Sequence, residues 1–386
     1  MNLKIEEGLF VIIIFQLLLL SFFLFTQEKG RRFSLFLMGF FFLALGLNIA
    51  DGFLLYRGFY FTYPSVALWG PALALAFGPL LYFYTKSVIF RDFKFSFSIL
   101  FHLVPFVVLE CVTLGVYSSL SVEVKLNLLH TIIDQNLPGE FNIGSVLIFI
   151  HFVIYASLAW RLISEYKKIV NEKFSDTQRT NVKQLVTMLI FFLVMFVLSI
   201  LSSLIHLTSL ASWYYALFTI AIVLLFIFIN QILFATLKNP HLFSIVEEKE
   251  VSAIPFSNPK YVASLLNEDE KRTIKEKVLL YMLNDKPYLD PDLSLDQLAT
   301  QLQIKPRLLS QIINETLKKN FFDFVNYYRI EEAKHIFDHP EDPKITVLEV
   351  LYQVGFNSKS SFNTVFKKET GLTPSEYRQQ KRSTSR

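Results

Sequence analysis

Apolar and polar positions divide this chain into two stretches of different character. Seven runs of about twenty mostly apolar residues fill the first 237 positions: 8–25, 33–55, 65–84, 97–117, 143–162, 185–207 and 213–235. A helix of about 20 residues crosses the hydrocarbon core of a bilayer, so each run predicts a membrane-spanning helix. The second run contains Asp51, and the third is interrupted by Pro71 and Pro79, making these two the least regular. From residue 268 onward the pattern changes. Apolar residues recur there at three- and four-residue spacing between polar turns, as in short amphipathic helices facing water.

The boundaries of those later helices are written in the sequence. Residues 268–283 place Ile274, Val278, Leu279, Tyr281 and Met282 at helical spacing. Ser294 followed by Gln297 predicts a capping box, with Leu295, Leu298, Ala299 and Leu302 facing inward. Pro306 opens a second helix that buries Leu308, Leu309, Ile312 and Ile313 and leaves Lys305, Arg307, Ser310, Gln311 and Asn314 outside. Two short helices with a tight connection predict a helix-turn-helix. A longer helix follows at 321–337, and then the motif repeats. Residues 345–351 form a short apolar helix, Gly355 the turn, and Ser358 caps a helix that ends at Gly371. Phe362, Val365 and Phe366 face inward there; Asn357, Ser358, Lys359, Ser360, Asn363, Thr364 and Lys367 are left to solvent. Thr373-Pro374-Ser375-Glu376 opens a last helix.

Composition agrees with the division. Hydrophobic residues make up 53% and charged residues 18% of the whole, and the apolar surplus lies before residue 238. Charge also predicts orientation. Lys29, Arg31, Arg32, Lys86, Arg91, Lys94, Arg161, Lys167, Lys168, Lys173, Arg179 and Lys183 fall in loops on one side; only Lys4, Arg57 and Lys125 fall on the other. The basic side is cytoplasmic. The N-terminus is thus expected outside and the C-terminal domain inside, the inner membrane being the expected location. The first run is expected to be a retained anchor, because no small-residue cleavage motif precedes Lys29-Gly30-Arg31-Arg32. Residues 238–267, with Pro240, Pro255 and Pro259, read as a cytoplasmic linker with an end-to-end distance of about 25 Å.

Five polar residues in the apolar runs are the candidate sensing groups: Asn48, Asp51, His102, Glu110 and His151. Ionisable groups in lipid face a bundle interior or a water-filled cavity. Two readings stay open: a ligand pocket or proton-sensitive switch, and interhelical hydrogen bonds that fix packing. Gly70, Ala74 and Gly78, four residues apart, predict a small-residue face on the third helix.

Several chemistries are disfavoured. The single Cys111 leaves no intrachain disulfide and no cysteine-based zinc site. The soluble half holds no GxGxxG and no P-loop, which argues against a kinase. His335 and His339 have the spacing of a zinc peptidase, but Ile336 stands where the required Glu would be. No enzyme activity, metal or cofactor is expected. The net charge of +4 is too small to indicate nucleic acid alone, but the placement is informative. Residues 305–320 carry Lys305, Arg307, Lys318 and Lys319 against one acid, Glu315; residues 357–368 carry Lys359, Lys367 and Lys368 and no acid. Basic charge on two helices with polar free faces is the footprint of duplex DNA binding.

These residues carry a family resemblance. Leu293-Ser294-Leu295-Asp296-Gln297-Leu298-Ala299, Leu309-Ser310, Phe324, Arg329 and Ala333 lead to a longer run: Val354-Gly355-Phe356-Asn357-Ser358-Lys359-Ser360, Phe362, Phe366-Lys367-Lys368, Gly371-Leu372-Thr373-Pro374 and Tyr377-Arg378. Over about residues 270–380 the chain resembles the DNA-binding domain of AraC/XylS-family transcription regulators. The resemblance implies two helix-turn-helix units, joined by a linker helix, entering successive major grooves, with 305–315 and 358–368 as recognition helices. The chain departs from the family pattern at Ser361 and Thr364, where many members carry an aromatic and an Arg. The expected architecture is therefore all-α: a seven-helix transmembrane bundle at 1–237, a linker at 238–267 and an AraC-type domain at 268–386. The expected partners are double-stranded DNA, membrane lipid, a second copy in a homodimer and an unidentified small-molecule or envelope signal. The alternative is a transporter-like membrane protein with an appended regulatory DNA-binding domain.

Overall fold

The apolar runs become helices in the computed structural model, which describes residues 5–28, 31–90, 93–133, 139–175, 182–206, 213–238, 268–340, 342 and 344–384. Among these residues every regular element is helical and no strand forms. The chain divides into two compact units, Met1–Ser164 with Asn181–Ala253, and Glu165–Thr180 with Ile254–Arg386. The linker expected at 238–267 lies, but for Lys238, outside the described residues.

The first unit contains α1 (Ile5–Thr26), α2 (Arg32–Tyr56), α3 (Phe59–Thr62), α4 (Ala74–Ile89), α5 (Val104–Ser119), α6 (Val122–Ile133), most of α7 (Gly139–Lys173), α8 (Val182–His206) and α9 (Tyr214–Lys238). Among the described residues seven helical segments are long and apolar enough to cross a membrane. Helix α2 packs on α1 and α4, and α9 packs on α8 and α1. Aromatic rings fill the seams: Phe191 stacks on Phe228 with centroids 3.6 Å apart, and Phe152 on Phe196 at 4.0 Å. Polar ties cross between helices as well. Gln16 donates to Asn230 at 3.2 Å, and the Arg31 guanidinium donates to the carbonyls of Ser87 and Phe90 at the end of α4. A cation is favoured at that helix terminus.

Three features depart from the periodicity. The third run is not one helix: 3-10 turns at Pro64–Val66 and Pro71–Leu73 precede α4, which contains Pro79. Gly70 therefore lies outside the helix. Its small size serves α2 instead, since a Cβ there would sit 2.3 Å from Asp51 Cβ. The segment after α5 is itself helical, and α6 buries Leu129 against Tyr60, Ala67, Leu68 and Tyr117. Helix α7 runs 35 residues where the apolar pattern marked twenty, because beyond Leu162 the helix turns amphipathic, with Ile163, Tyr166 and Val170 buried at helical spacing between polar residues.

The second unit contains α10 (Glu268–Asn284), α11 (Leu295–Gln301), α12 (Pro306–Gln311), α13 (Phe321–Asp338), α14 (Val347–Gln353), α15 (Lys359–Thr370) and α16 (Pro374–Thr384). Its helix starts are capped where the sequence says. Ser294 and Gln297 close a capping box on α11, Thr346 and Glu349 close one on α14, and Ser358 accepts from Ser361 N–H on α15. Gly371, at φ +78°, ends α15. Two cores result. Val278, Met282, Leu298, Leu309, Ile313, Phe321, Phe324 and Val325 form one; Ile330, Ala333, Phe337, Leu351, Phe362 and Phe366 form the other. Helix α13 contributes its first half to the first core and its second half to the second.

Candidate nucleic-acid interface

Each core supports one helix-turn-helix: α11 with α12, and α14 with α15. Leu309, Ile312 and Ile313 anchor the second helix of the first unit, which continues past Gln311 as a π turn at Ile312–Thr316. Phe362, Val365 and Phe366 anchor α15 in the same way. At 1.5 Å per residue, the 18 residues of α13 extend about 27 Å between the two units.

The predicted interface residues mostly lie where they can meet a ligand. Lys305 and Arg307 are exposed, and Ser310 and Asn314 are half-buried with Asn314 donating to Ser310 at 3.2 Å. Gln311 departs from expectation. Its side chain is buried at 7% exposure and donates to Glu315, so it is turned from the free face on which the periodicity placed it. On the second unit Asn357, Lys359, Ser360, Thr364 and Lys367 are exposed and Asn363 is half-buried. Ser358 spends its hydroxyl oxygen on the helix cap, and Asn357 reaches Asp292 at 3.5 Å. Lys368 pairs with Asp323 at 2.7 Å, tying α15 to the first turn of α13. Lys318, exposed at φ +54° after the π turn, adds a cation that the choice of site residues passed over; the basic run 305–320 was its signal.

Between the cores sits a buried polar hub. Arg329 is wholly buried; its Nε donates to the Tyr288 carbonyl at 2.7 Å and its Nη2 to the Asp290 carbonyl at 2.7 Å. Its guanidinium lies 5.5 Å from the centre of the Phe356 ring in the second unit. A buried cation needs this density of acceptors. Gly355, at φ +86°, lets the second unit's turn press on the same segment: a Cβ there would lie 2.6 Å from the Tyr288 carbonyl and 2.8 Å from that of Leu289. Beside the hub Lys286 pairs with Glu332 at 2.8 Å, and the Tyr288 hydroxyl donates to the same carboxylate at 3.0 Å. Burial works against the charged form of Glu332, but the Lys286 ammonium and the Tyr288 hydroxyl outweigh it and hold the carboxyl below its usual range.

Of the five candidates in the apolar runs, Asn48 and Asp51 face the segment after α3, while His102 and His151 share Tyr155. Asp51 accepts from Tyr60 at 2.7 Å, whose hydroxyl accepts from Trp69 at 2.8 Å, while Asn48 donates to the Gly70 carbonyl at 3.0 Å. These two residues fasten the 60–70 segment onto α2, as packing hydrogen bonds do. His102 Nδ1 lies 2.7 Å from the Tyr155 hydroxyl, and the His151 ring stands 4.9 Å from the Tyr155 ring. Glu110 Oε2 and His151 Nδ1 are buried with no hydrogen-bond partner among the described residues.

Residues 298–380 match a family described as a helix-turn-helix domain. The chain is 32% identical over 94 residues to an uncharacterised HTH-type transcriptional regulator, YtdP, of Bacillus subtilis, covering 24% of this chain and 12% of that protein. It is 26% identical over 119 residues to the HTH-type transcriptional activator RhaR of Salmonella dublin, covering 31% of this chain and 40% of the relative. The chain thus spans well under half the length of these relatives. Among solved structures it is similar to the C-terminal domain of the two-component response regulator yesN from Fusobacterium nucleatum, at 27% identity and a TM-score of 0.25, covering 28% of this chain and 98% of that one.

Proposed function

We propose that the chain, whose residues 298–380 are a helix-turn-helix domain of the AraC type, is a membrane-bound, sequence-specific transcription regulator. The observation that carries this reading is the pair of capped helix-turn-helix units sharing α13, each turning a polar and basic face outward. Major grooves recur about every 34 Å along one face of DNA, a spacing that two recognition helices flanking a 27 Å helix can serve. Lys305, Arg307, Ser310 and Asn314 enter one groove. Asn357, Ser358, Lys359, Ser360, Asn363, Thr364 and Lys367 serve the next. Arg307 can pair bidentately with guanine, and Asn314 and Asn363 with adenine. Lys359 and Lys367 meet phosphate.

The membrane reading rests on surface as well as length. Phe15 is 63% exposed, Phe22 66%, Phe101 74% and Ile227 56%. Large apolar side chains exposed on helices long enough to cross a bilayer suit lipid rather than water. The excess of basic residues in alternate loops supports an inner-membrane location with the C-terminal domain in the cytoplasm and the N-terminus outside. A signal that prefers one of two bundle states then alters promoter occupancy, acting on a monomer or a homodimer.

The test is a gel-shift titration of the detergent-solubilised full chain against salt. Four exposed cations free for phosphate, Lys305, Lys318, Lys359 and Lys367, give a log–log slope of about −3.6. Affinity then falls about 150-fold between 50 and 200 mM salt. A flat response overturns the reading.

A further inference from the structure

We infer that residues 165–175, which follow the fifth apolar segment, are the input element of the DNA-binding domain and set how its two helix-turn-helix halves sit on each other; this rests on the DNA-binding reading above. Helix α7 has 35 residues, about 50 Å, whereas the hydrocarbon core takes about 30 Å. Its last residues belong to the same compact unit as 254–386. Immediately after it, Phe174 forms an antiparallel bridge with Ser294. The Ser175 N–H donates to the Leu293 carbonyl at 3.4 Å, and the Ser175 hydroxyl donates to that carbonyl at 2.7 Å. The Ser175 carbonyl accepts from Asn326 Nδ2 at 3.0 Å and Arg329 Nη1 at 3.4 Å, and its Oγ accepts from Arg329 Nη2 at 3.1 Å. Phe174 and Ser175 are buried, at 8% and 2% exposure. Pairing of an extended segment by main-chain bonds is a recurring way to dock a peptide.

The docking point decides what it can do. Arg329 also holds the Tyr288 and Asp290 carbonyls, ahead of the first helix-turn-helix, and faces Phe356 in the second. At this point α13 leaves the first core and enters the second. A segment fixed here acts on the joint between the halves, and the hydrogen bonds of Ser175 go to Leu293, Asn326 and Arg329 rather than to a proposed base-reading side chain. Movement of α7 reaches both recognition helices through this joint, independently of the 238–267 connector. The expected consequence is selective: simultaneous engagement of two half-sites changes, and engagement of one does not.

The experiment uses membranes carrying the full chain. With Cys111→Ala removing the native thiol, the pair Phe174→Cys and Ser294→Cys is oxidised, and an intrachain disulfide is expected as a gel-mobility change reversed by reductant. In parallel, Ser175→Ala in the parent chain removes the hydroxyl shared by Leu293 and Arg329. Its affinity for a footprinted duplex with both half-sites is expected to fall about tenfold, with none lost for the same duplex trimmed to one half-site. Absence of the disulfide overturns the docking. A disulfide together with equal loss on both duplexes, or no loss on either, overturns the control of the joint. If the parent chain binds neither duplex, the DNA-binding reading fails and the inference with it, while the disulfide still reads the docking alone.

Discussion

Replacing Gly355 and Gly371 separately by Ala isolates the packing between the two helix-turn-helix halves. Both glycines are left-handed, at φ +86° and +78°. Forcing an L-residue there costs about 1–2 kcal/mol. At Gly371 nothing lies within 4 Å of an added Cβ, so that cost is the whole effect. At Gly355 the Cβ would meet the Tyr288 and Leu289 carbonyl oxygens at 2.6 and 2.8 Å. These are backbone atoms, one of them bonded to the buried Arg329, and they cannot rotate away. Overpacking adds about 1–3 kcal/mol. Gly371→Ala should therefore shift the folding equilibrium of the C-terminal unit about tenfold, and Gly355→Ala a few hundred-fold. Pulse proteolysis in urea, read by immunoblot of a C-terminal tag on the full chain, measures both. Equal shifts for the two variants would refute the packing of the second turn on the 288–289 segment.

Three further outcomes follow from the same geometry. Arg307→Ala should cost about 1–3 kcal/mol and relax preference at one base position, whereas Lys367→Ala should weaken all sequences evenly and reduce the salt slope by about one; gel-shift titrations on variant duplexes separate the two. Glu332 titrates below its usual range in the folded state, so its contribution is present above the unfolded value of about 4.3 and lost as pH falls through the lower folded value. Pulse proteolysis across that window should show a loss of stability that Glu332→Gln flattens. Thr346→Ala removes the capping box of α14 and should cost about 1 kcal/mol, with hydrogen exchange of that helix rising more than exchange of α11.

What the sequence disclosed was local. Ser294–Gln297, Thr373–Glu376 and Gly371 announce helix ends because the capping chemistry lies within a few residues of the backbone it satisfies. The seven apolar runs are legible for the same reason, since length and hydropathy are summed along the chain. What escaped depends on distant partners or on polar stretches. The unwinding at 64–73 follows from Asp51, Asn48 and Tyr60 reaching across from α2 and α3. The extra turns of α7 are amphipathic, with Ile163, Tyr166 and Val170 set among charged residues, so an unbroken apolar run ends before them; Gln311 is buried and donates to Glu315 of the π turn. Arg329 is recognisable as a family position, but its acceptors at 175, 288 and 290 are not adjacent in any pattern. Docking of 174–175 onto 293–294 joins residues more than a hundred positions apart, beyond the reach of periodicity.

Paired groove-reading helices carried by a lipid-embedded chain and facing the cytoplasm are open to DNA from one side of the membrane. On inside-out membrane vesicles bearing the full chain, nuclease footprinting should show salt-sensitive protection of two tracts on one face of the duplex, about 10 base pairs apart centre to centre, and right-side-out vesicles should show none. Protection that appears only in the soluble fraction, or equally on vesicles of either orientation, would contradict that arrangement.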